Sequence, residues 1–450
     1  MNDRRTPVAD GLVDFVLGLE VASLPDAVVE AAGLALTDWL GGALRGSTEP
    51  LADALDAVLV AAGGHPQATV IGRGRRTSAL LAALANGAHG HALDFDDTHL
   101  ASIVHGSAPV APAVLAMAEW RRRPGSEVLA AFVAGFEVET RIGRVIGPRL
   151  ADRGWHVTAL LGHFGAAAAA GKLLGLTARE LGRALGIAGT QAAGLEQSLG
   201  TMCKPLHPGK AAMNGILAAL LAREGFTGPT GILDESSGLP GTFAGIGDLT
   251  PALDDLGKRF EILDNSTKLY AACHLLHATI DAGRAIRERS APPLEAIATV
   301  ECHVHPLAVK VAAIPEPRTG LEAKFSVAYC AALALTRGEA SESEFLAPDP
   351  DLVGLAGRIR PVADPALGIA EARIRVRLHD GRVLDEVVRA ARGTPGRPVS
   401  RSEVEEKFRR LAGVVLPAAQ VGRLLESLRH LPALPDVGAL AALTSRGEQP

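Results

Sequence analysis

The chain has 450 residues, 48% of them apolar and 21% charged, with a formal net charge of -5. That length is two to three times a usual domain, which excludes a small stapled module and predicts two domains or one large domain with an elaborated second lobe. The mild acidity offers no basic field for a nucleic-acid backbone, and an aromatic content of 4% leaves the core to Ala, Leu, Val and Ile, a composition suited to close-packed helices.

The four cysteines, Cys203, Cys273, Cys302 and Cys330, are scattered singly. Neither a disulfide framework nor a CxxC metal motif is expected, and the chain is assigned to a reducing, cytoplasmic compartment. Arg4 and Arg5 resemble the start of an export signal, but Asp10, Asp14 and Glu20 interrupt the apolar segment such a signal needs. The longest apolar run, residues 158–176, contains His163 and Lys172 and reads as a buried helix rather than a membrane span.

Taken in chain order, the first 225 residues read as successive helices. Pro25 suits a first turn, and Val28, Val29, Ala32, Leu36 and Leu40 follow at helical spacing. Residues 68–72 resemble a short strand. After Ser126 a helix is expected over 127–146, stopping at Gly147-Pro148. Thr177 and Glu180 have capping-box spacing, and residues 209–223 form a further helix. Beyond 269 the pattern changes. Helical spacing over 270–286 gives way to alternation over 298–305, where Val300, Cys302 and Val304 share one side of a half-buried strand. Residues 371–380 alternate likewise, and Asp380-Gly381 turns into 382–388 as a hairpin. Loops at 337–351 and 391–402 frame this part, and 403–431 is helical again. The expected fold is mainly α: an all-helical domain over 1–268, a smaller α+β domain over 269–400, and C-terminal helices over 401–450 that return to the first domain.

His89, His91, Asp94, Asp96, Asp97, His99 and His105 place four imidazoles and three acids within seventeen residues of an alanine-rich region. Buried charge is costly unless paired or used, although a helix cap and a hydrogen-bonded turn would also call for Asp and Thr here. Further clusters are Gly154-Trp155-His156, the 200–209 segment with Lys204 and His207, and the 266–277 segment with Lys268, Tyr270, Cys273, His274 and His277. The second reads as a loop that aims free backbone N–H groups and a lysine at one place, an anion cradle; in the third, His274 and His277 share a helix face. Cys302, His303 and His305 read as alternately buried strand residues. Eight lysines against thirty-seven arginines make Lys204 and Lys268 stand out, because lysine, unlike arginine, shifts its pKa when buried.

Asp94-Phe95-Asp96-Asp97-Thr98, His105-Gly106-Ser107-Ala108-Pro109, Gly154-Trp155-His156, Lys204-Pro205-Leu206-His207-Pro208-Gly209 and Lys268-Leu269-Tyr270, in this order, resemble the MmgE/PrpD family over nearly the whole chain. The resemblance implies an all-helical domain with an inserted α+β lid, a homodimer with the active site between the two domains, no metal or other cofactor, and a small di- or tricarboxylate substrate. It implies Asp94, Thr98, His105, His156, Lys204 and Lys268 around the substrate, with Tyr270, His207, Cys273 and His274 close by. In decarboxylase members a histidine stands about where this chain has Cys273, with His274 displaced by one, which favours dehydration or epimerisation over decarboxylation.

A proton beside a carboxylate is weakly acidic, so its removal needs a base of near-neutral pKa and cationic donors for the developing charge. His105 or His156 would be the base and the other the acid; Lys204 and Lys268 would hold carboxylates, Asp94 would orient an imidazole and Thr98 would donate a hydrogen bond. The expected function is a hydro-lyase of the 2-methylcitrate dehydratase kind, with a dicarboxylate epimerase, a cis-aconitate-type decarboxylase and a non-catalytic helical dimer as alternatives. Neither a membrane nor a nucleic acid is an expected partner. A magnesium-dependent isoprenoid synthase would need DDxxD spacing, which is absent, and a zinc site from His89, His91 and Asp94 lacks a hydrolase spacing.

Overall fold

Apolar residues three and four apart, with alanine wherever helices must approach closely, build the N-terminal part of the computed structural model, which describes residues 7–445 and so leaves Arg4 and Arg5 outside. The helices are α1 (Val8–Gly18), α2 (Asp26–Gly46), α3 (Pro50–Ala62), α4 (Ala79–His91), α5 (Ser107–Arg121), α6 (Gly125–Asp152), α7 (Val157–Leu174), α8 (Ala178–Gly189) and α9 (Cys203–Arg223). A small hairpin of β1 (Ala68–Val70) and β2 (Arg75–Thr77) sits between α3 and α4. Helix α7, the predicted apolar run, is the axis of the large core: its five consecutive alanines at 166–170 are fully buried, and α5, α6, α8 and α9 pack around it. Helices α2 and α7 are long and apolar enough to cross a bilayer, but both are largely buried in this core.

Three boundaries differ from the sequence-based expectation. Helix α6 runs through Gly147-Pro148 to Asp152. Gly147 is there for close packing, since a Cβ would lie 2.2 Å from the Ser102 carbonyl oxygen, and Pro148 is exposed, on the side where water reaches the carbonyl its missing N–H leaves free. Helix α9 begins at Cys203, six residues before the predicted start at 209, with Pro205 in its first turn where an N–H has no intrahelical partner to lose. Residues 270–273 are not helical; a single turn, His274–Leu276, leads into α10 (His277–Ser290). The Thr177–Glu180 capping box forms as predicted.

After α10 come β3 (Ile297–Val304), α11 (Pro306–Val311), α12 (Gly320–Ala323), α13 (Val327–Thr336), α14 (Pro350–Ala356), β4 (Ile359–Ala363), β5 (Ala372–Leu378) and β6 (Val383–Val388). The sheet order is β4-β3-β5-β6, with β3 parallel to β4 and antiparallel to β5. The predicted alternation on β3 and the β5–β6 hairpin are both present. Strand β4 was not foreseen. It is short, sits at the sheet edge and contains Pro361, which an edge tolerates because no second neighbour needs its N–H. Helices α10 and α13 pack together, with α10 lying against β5 and β6, and build a second hydrophobic core.

The C-terminal segment is not one helix but α15 (Arg401–Ala412), α16 (Ala418–Arg429) and the short α17 (Gly438–Ala442), with a break at Gly413. Helix α15 lies across α2, where the Phe408 ring sits over Gly41. Phe408 belongs to the large core and Leu411 to the second, so this one helix is seated in both.

Candidate active site

The loop between α4 and α5, residues 92–106, carries the acidic and imidazole cluster. Its backbone is tied down at both ends: Thr98 and Ser266 exchange main-chain hydrogen bonds, and the His105 N–H donates to Thr158 Oγ1 at 3.0 Å. Asp94 adopts the left-handed conformation with φ 50°, uncommon for a residue with a side chain. Buried ammonium groups hold it there. Lys268 donates to Asp94 Oδ1 at 2.8 Å and to its carbonyl at 2.9 Å, Lys204 donates to Oδ1 at 2.7 Å, Lys324 donates to the Leu93 carbonyl at 2.7 Å, and Lys407 to the Phe95 carbonyl at 2.7 Å. Three successive carbonyls thus each receive a lysine from a different part of the chain. Four of the eight lysines are consumed in this way, and all four are buried. Although burial alone would raise it, Lys204 and Lys268 hold the Asp94 carboxyl well below the usual carboxylate range. Burial and Asp94 act oppositely on Lys268, and the carboxylate wins: its pKa is raised. Burial brings Lys324 down to about 8.

The imidazoles converge beside this loop. Asp96 Oδ2 lies 2.8 Å from His91 Nδ1 and 3.3 Å from His105 Nδ1. His105 Nδ1 is also 2.9 Å from the Asp97 carbonyl. With acceptors on that side, Nδ1 carries the proton and Nε2 is left as the basic nitrogen. The His91 and His105 rings meet edge-on at 4.5 Å between centroids, and His91 and His156 stack at 6.0 Å. His156 stands at the N-terminus of α7, with its Nδ1 2.9 Å from His207 Nδ1, so one of the two donates and the other accepts. Burial, reinforced by Lys204, lowers His156 well below the usual imidazole range and His207 to about 4; burial also lowers His105, against the pull of Asp96. The resting imidazoles are therefore neutral.

A cavity of about 110 Å³ opens on this cluster at the seam between the helical part and the α+β part. Asp94, Thr98, His105, His156, Lys204 and His274 form its polar end, with Cys273 alongside. Leu100, Ile103 and Trp155 wall it on the helical side, and Leu307, Val311 and Phe325 on the other. Both ring nitrogens of His274 are buried without a hydrogen-bond partner, and burial lowers its pKa strongly. Burial raises the Cys273 thiol to about 11.

Several sequence-based assignments change. Tyr270 does not line this cavity: its hydroxyl donates to Asp281 and accepts from Arg284 at 3.0 Å. Lys268 and His207 also stand behind the lining rather than in it, Lys268 against Asp94 and His207 against His156. The carboxylate that orients imidazoles is Asp96, not Asp94, which is occupied by ammonium groups. The predicted anion cradle at 200–209 is helical from Cys203, where the Cys203 and Lys204 N–H groups already donate to Thr201 and Pro205 has none, so its contribution is the Lys204 side chain. Asp97, read only as part of the cluster, caps α5: Ser107 donates to it through both N–H and hydroxyl, and Asn265 at 2.7 Å. Lys324, Lys407 and Phe325 were missed altogether; the scarcity of lysine that drew attention to Lys204 and Lys268 applied equally to the first two. On β3, Cys302 is buried in the second core, and His305 caps α11 by accepting from the Leu307 N–H at 3.2 Å.

His91, Asp94, Asp96 and His105 bring donor atoms within 4.8 Å of one another, a spacing open to a cation. Asp94 Oδ1 already accepts from two ammonium groups and Asp96 Oδ2 faces two imidazoles, while Asp94 Oδ2, Asp96 Oδ1 and His91 Nε2 are buried without a hydrogen-bond partner.

A buried cleft that gathers neutral imidazoles, ammonium groups and carboxylates at one end is a candidate acid–base site in a helical fold. Residues 10–251 match the MmgE/PrpD N-terminal domain and residues 270–431 the MmgE/PrpD C-terminal domain. The chain belongs to the MmgE/PrpD family. It is 29% identical to a cis-aconitate decarboxylase of Aspergillus terreus over 98% of this chain and 96% of that one. It is 30% identical to the cis-aconitate decarboxylase-like protein oryM of Aspergillus oryzae, over 96% of each, and 28% identical to the cis-aconitate decarboxylase of Homo sapiens, over 97% of this chain and 94% of the human one.

Proposed function

We propose that this chain is a lyase of small carboxylic acids that breaks a bond one or two carbons from a retained carboxylate, with decarboxylation of an unsaturated acid as its first reading. The observation that carries it is the convergence on one cavity of the free His105 Nε2, the His156–His207 pair and the Lys204 ammonium. In a cis-aconitate-type acid the electron pair of the breaking carbon–carbon bond forms a new double bond as CO₂ leaves. The old alkene pair then takes a proton on the carbon beside the retained carboxylate. Lys204 would hold that carboxylate with Thr98 donating to it, and His105 or His156 would deliver the proton, its pKa raised from the resting value by the bound anion. Asp96 would orient His91 and His105, and Lys268 would fix Asp94.

Two observations favour this reading over the one the sequence put first. The named relatives are cis-aconitate decarboxylases, and His274 enters the same cavity as Cys273 with both nitrogens free, so an imidazole is available there despite the one-residue displacement. Dehydration remains the second reading, favoured by the His156–His207 pair as a relay that could protonate a leaving hydroxyl. The α+β part would act as the lid over the cavity, and the working assembly would be a homodimer, read by sedimentation velocity. Proton NMR in D₂O with cis-aconitate, 2-methylcitrate and iminodisuccinate tests the chemistry. CO₂ release with a new terminal methylene supports decarboxylation; water loss to an alkene moves dehydration to first place; deuterium entry with inversion and no alkene would make the protein an epimerase and overturn the lyase reading.

A further inference from the structure

We infer that the acid accepted by this site carries an aliphatic substituent, which lies in an apolar corridor leading outward from Lys204 and His105; this rests on the carboxylic-acid reading above. The charge at the polar end is the first support. Of the residues lining the cavity, Lys204 is the one lysine and none is arginine, although the chain has thirty-seven arginines. Asp94 and Glu196 also line the cavity; Lys204 is already shared with Asp94, and Glu196 is paired with Lys310. The lining imidazoles His105, His156 and His274 all have lowered pKa values through burial. The lining therefore offers a single ammonium, which a carboxylate head with an uncharged tail uses fully and which the several carboxylates of a trianion would have to share.

The walls are the second support. Leu100, Ile103, Trp155, Leu307, Val311 and Phe325 line the cavity, the Phe325 ring centre lying 5.3 Å from the Lys204 ammonium. An acid with polar groups at every position would be desolvated against these side chains without return. The third is continuity. Leu100, Ile103, Ala151, Leu307 and Ile369 also line an adjoining space of about 650 Å³, against about 110 Å³ for the inner cavity. The inner volume suits an acid head with a few carbons, and the shared residues carry an apolar strip into a wider space, bordered further out by Asp152, His305 and Lys310, with room for a longer chain. Leu307 and Ile369 are only partly buried and belong to the α+β part, so this wall is set apart from the catalytic imidazoles.

The test is isothermal titration of the full-length protein with unreactive 2-alkylsuccinates, from methyl to octyl, and with citrate. Affinity is expected to rise about threefold to fourfold with each methylene over the first several carbons and then level off, with citrate weaker than the butyl compound. Leu307→Ser and Ile369→Ser should shrink the ratio between hexyl and methyl affinities at least tenfold, with thermal melts confirming that both variants fold. If methylsuccinate binds but affinity is flat or falls with chain length, or if the gradient survives both variants, the corridor is wrong and the lyase reading stands. If no compound binds, the carboxylic-acid reading fails together with it.

Discussion

The ammonium of Lys407 donates at 2.9 Å to the main-chain carbonyl of Lys268, while also pairing with Asp38 at 2.8 Å and sitting 3.8 Å from the centre of the Phe95 ring. One side chain on α15 thus joins α2 and two segments of the candidate active site. Lys407→Met should cost about 3–5 kcal/mol, because it leaves the buried Asp38 charge without its partner. Chemical denaturation reads this, and the double variant with Asp38→Asn should regain a large part of the loss. A single variant as stable as the parent would mean that the pair contributes nothing.

Asp96→Asn should lower kcat about 100-fold or more, the range of a misplaced acid–base group, with a much smaller change in KM. Asp96 raises the pKa of His105 against its burial. Without that carboxylate the imidazole pKa falls further, and because the imidazole must carry the proton it delivers, the alkaline limb of the kcat profile should move to lower pH. A profile that keeps its position would separate Asp96 from the proton donor.

Lys204→Met should raise KM for a carboxylate substrate about 10-fold to 100-fold, the worth of a charge-assisted hydrogen bond. Lys268 would still hold Asp94, so the loop should keep its conformation. Steady-state kinetics with a thermal melt alongside separates loss of binding from loss of fold.

Buried imidazoles set the acid limit of stability. Burial lowers His89, His91 and His277 to about 3 and His163 to about 4, against about 6.5 in an unfolded chain. The unfolded state therefore binds more protons below pH 6.5, and the stabilisation these groups lend, present above that pH, is lost as the pH falls toward 4. Asp97, raised by burial to about 7, acts oppositely: it favours the folded state most below about pH 4 and loses that contribution as the pH rises through 7. Urea midpoints measured from pH 4 to 8 should show a maximum between these limits, and His163→Gln should flatten the acid side.

Gly209→Ala tests the seat of α9. A Cβ there would lie 2.1 Å from the Leu84 carbonyl oxygen, so α4 and α9 must separate. The variant should lose about 1–3 kcal/mol and should also lose activity, because α4 ends at His91 and α9 carries Lys204 and His207.

Patterns local in sequence were legible: the Thr177–Glu180 capping box, the alternation on β3 and the turn at Asp380-Gly381 all follow from spacing. The composition of the site was legible too, since buried charge in an alanine-rich region has few uses. Its wiring was not. Whether Asp94 or Asp96 faces the imidazoles depends on the left-handed turn at Asp94, and that turn is held by lysines up to 312 positions away from the carbonyls they meet. Likewise Pro148 reads as a helix stop until the fold shows it facing water, and Tyr270 reads as a site residue until Asp281 and Arg284 claim its hydroxyl.

The placement of Lys407 has a consequence for biosynthesis. During translation the helical core, the α+β part and Lys268 all emerge before α15 does. The carbonyls of Phe95 and Lys268 and the carboxylate of Asp38 wait for an ammonium made after all three. A nascent chain can collapse around α7 before then, but the loop that carries the imidazoles lacks this tie until α15 has been made, so its settled shape follows the emergence of that helix rather than growing steadily with chain length.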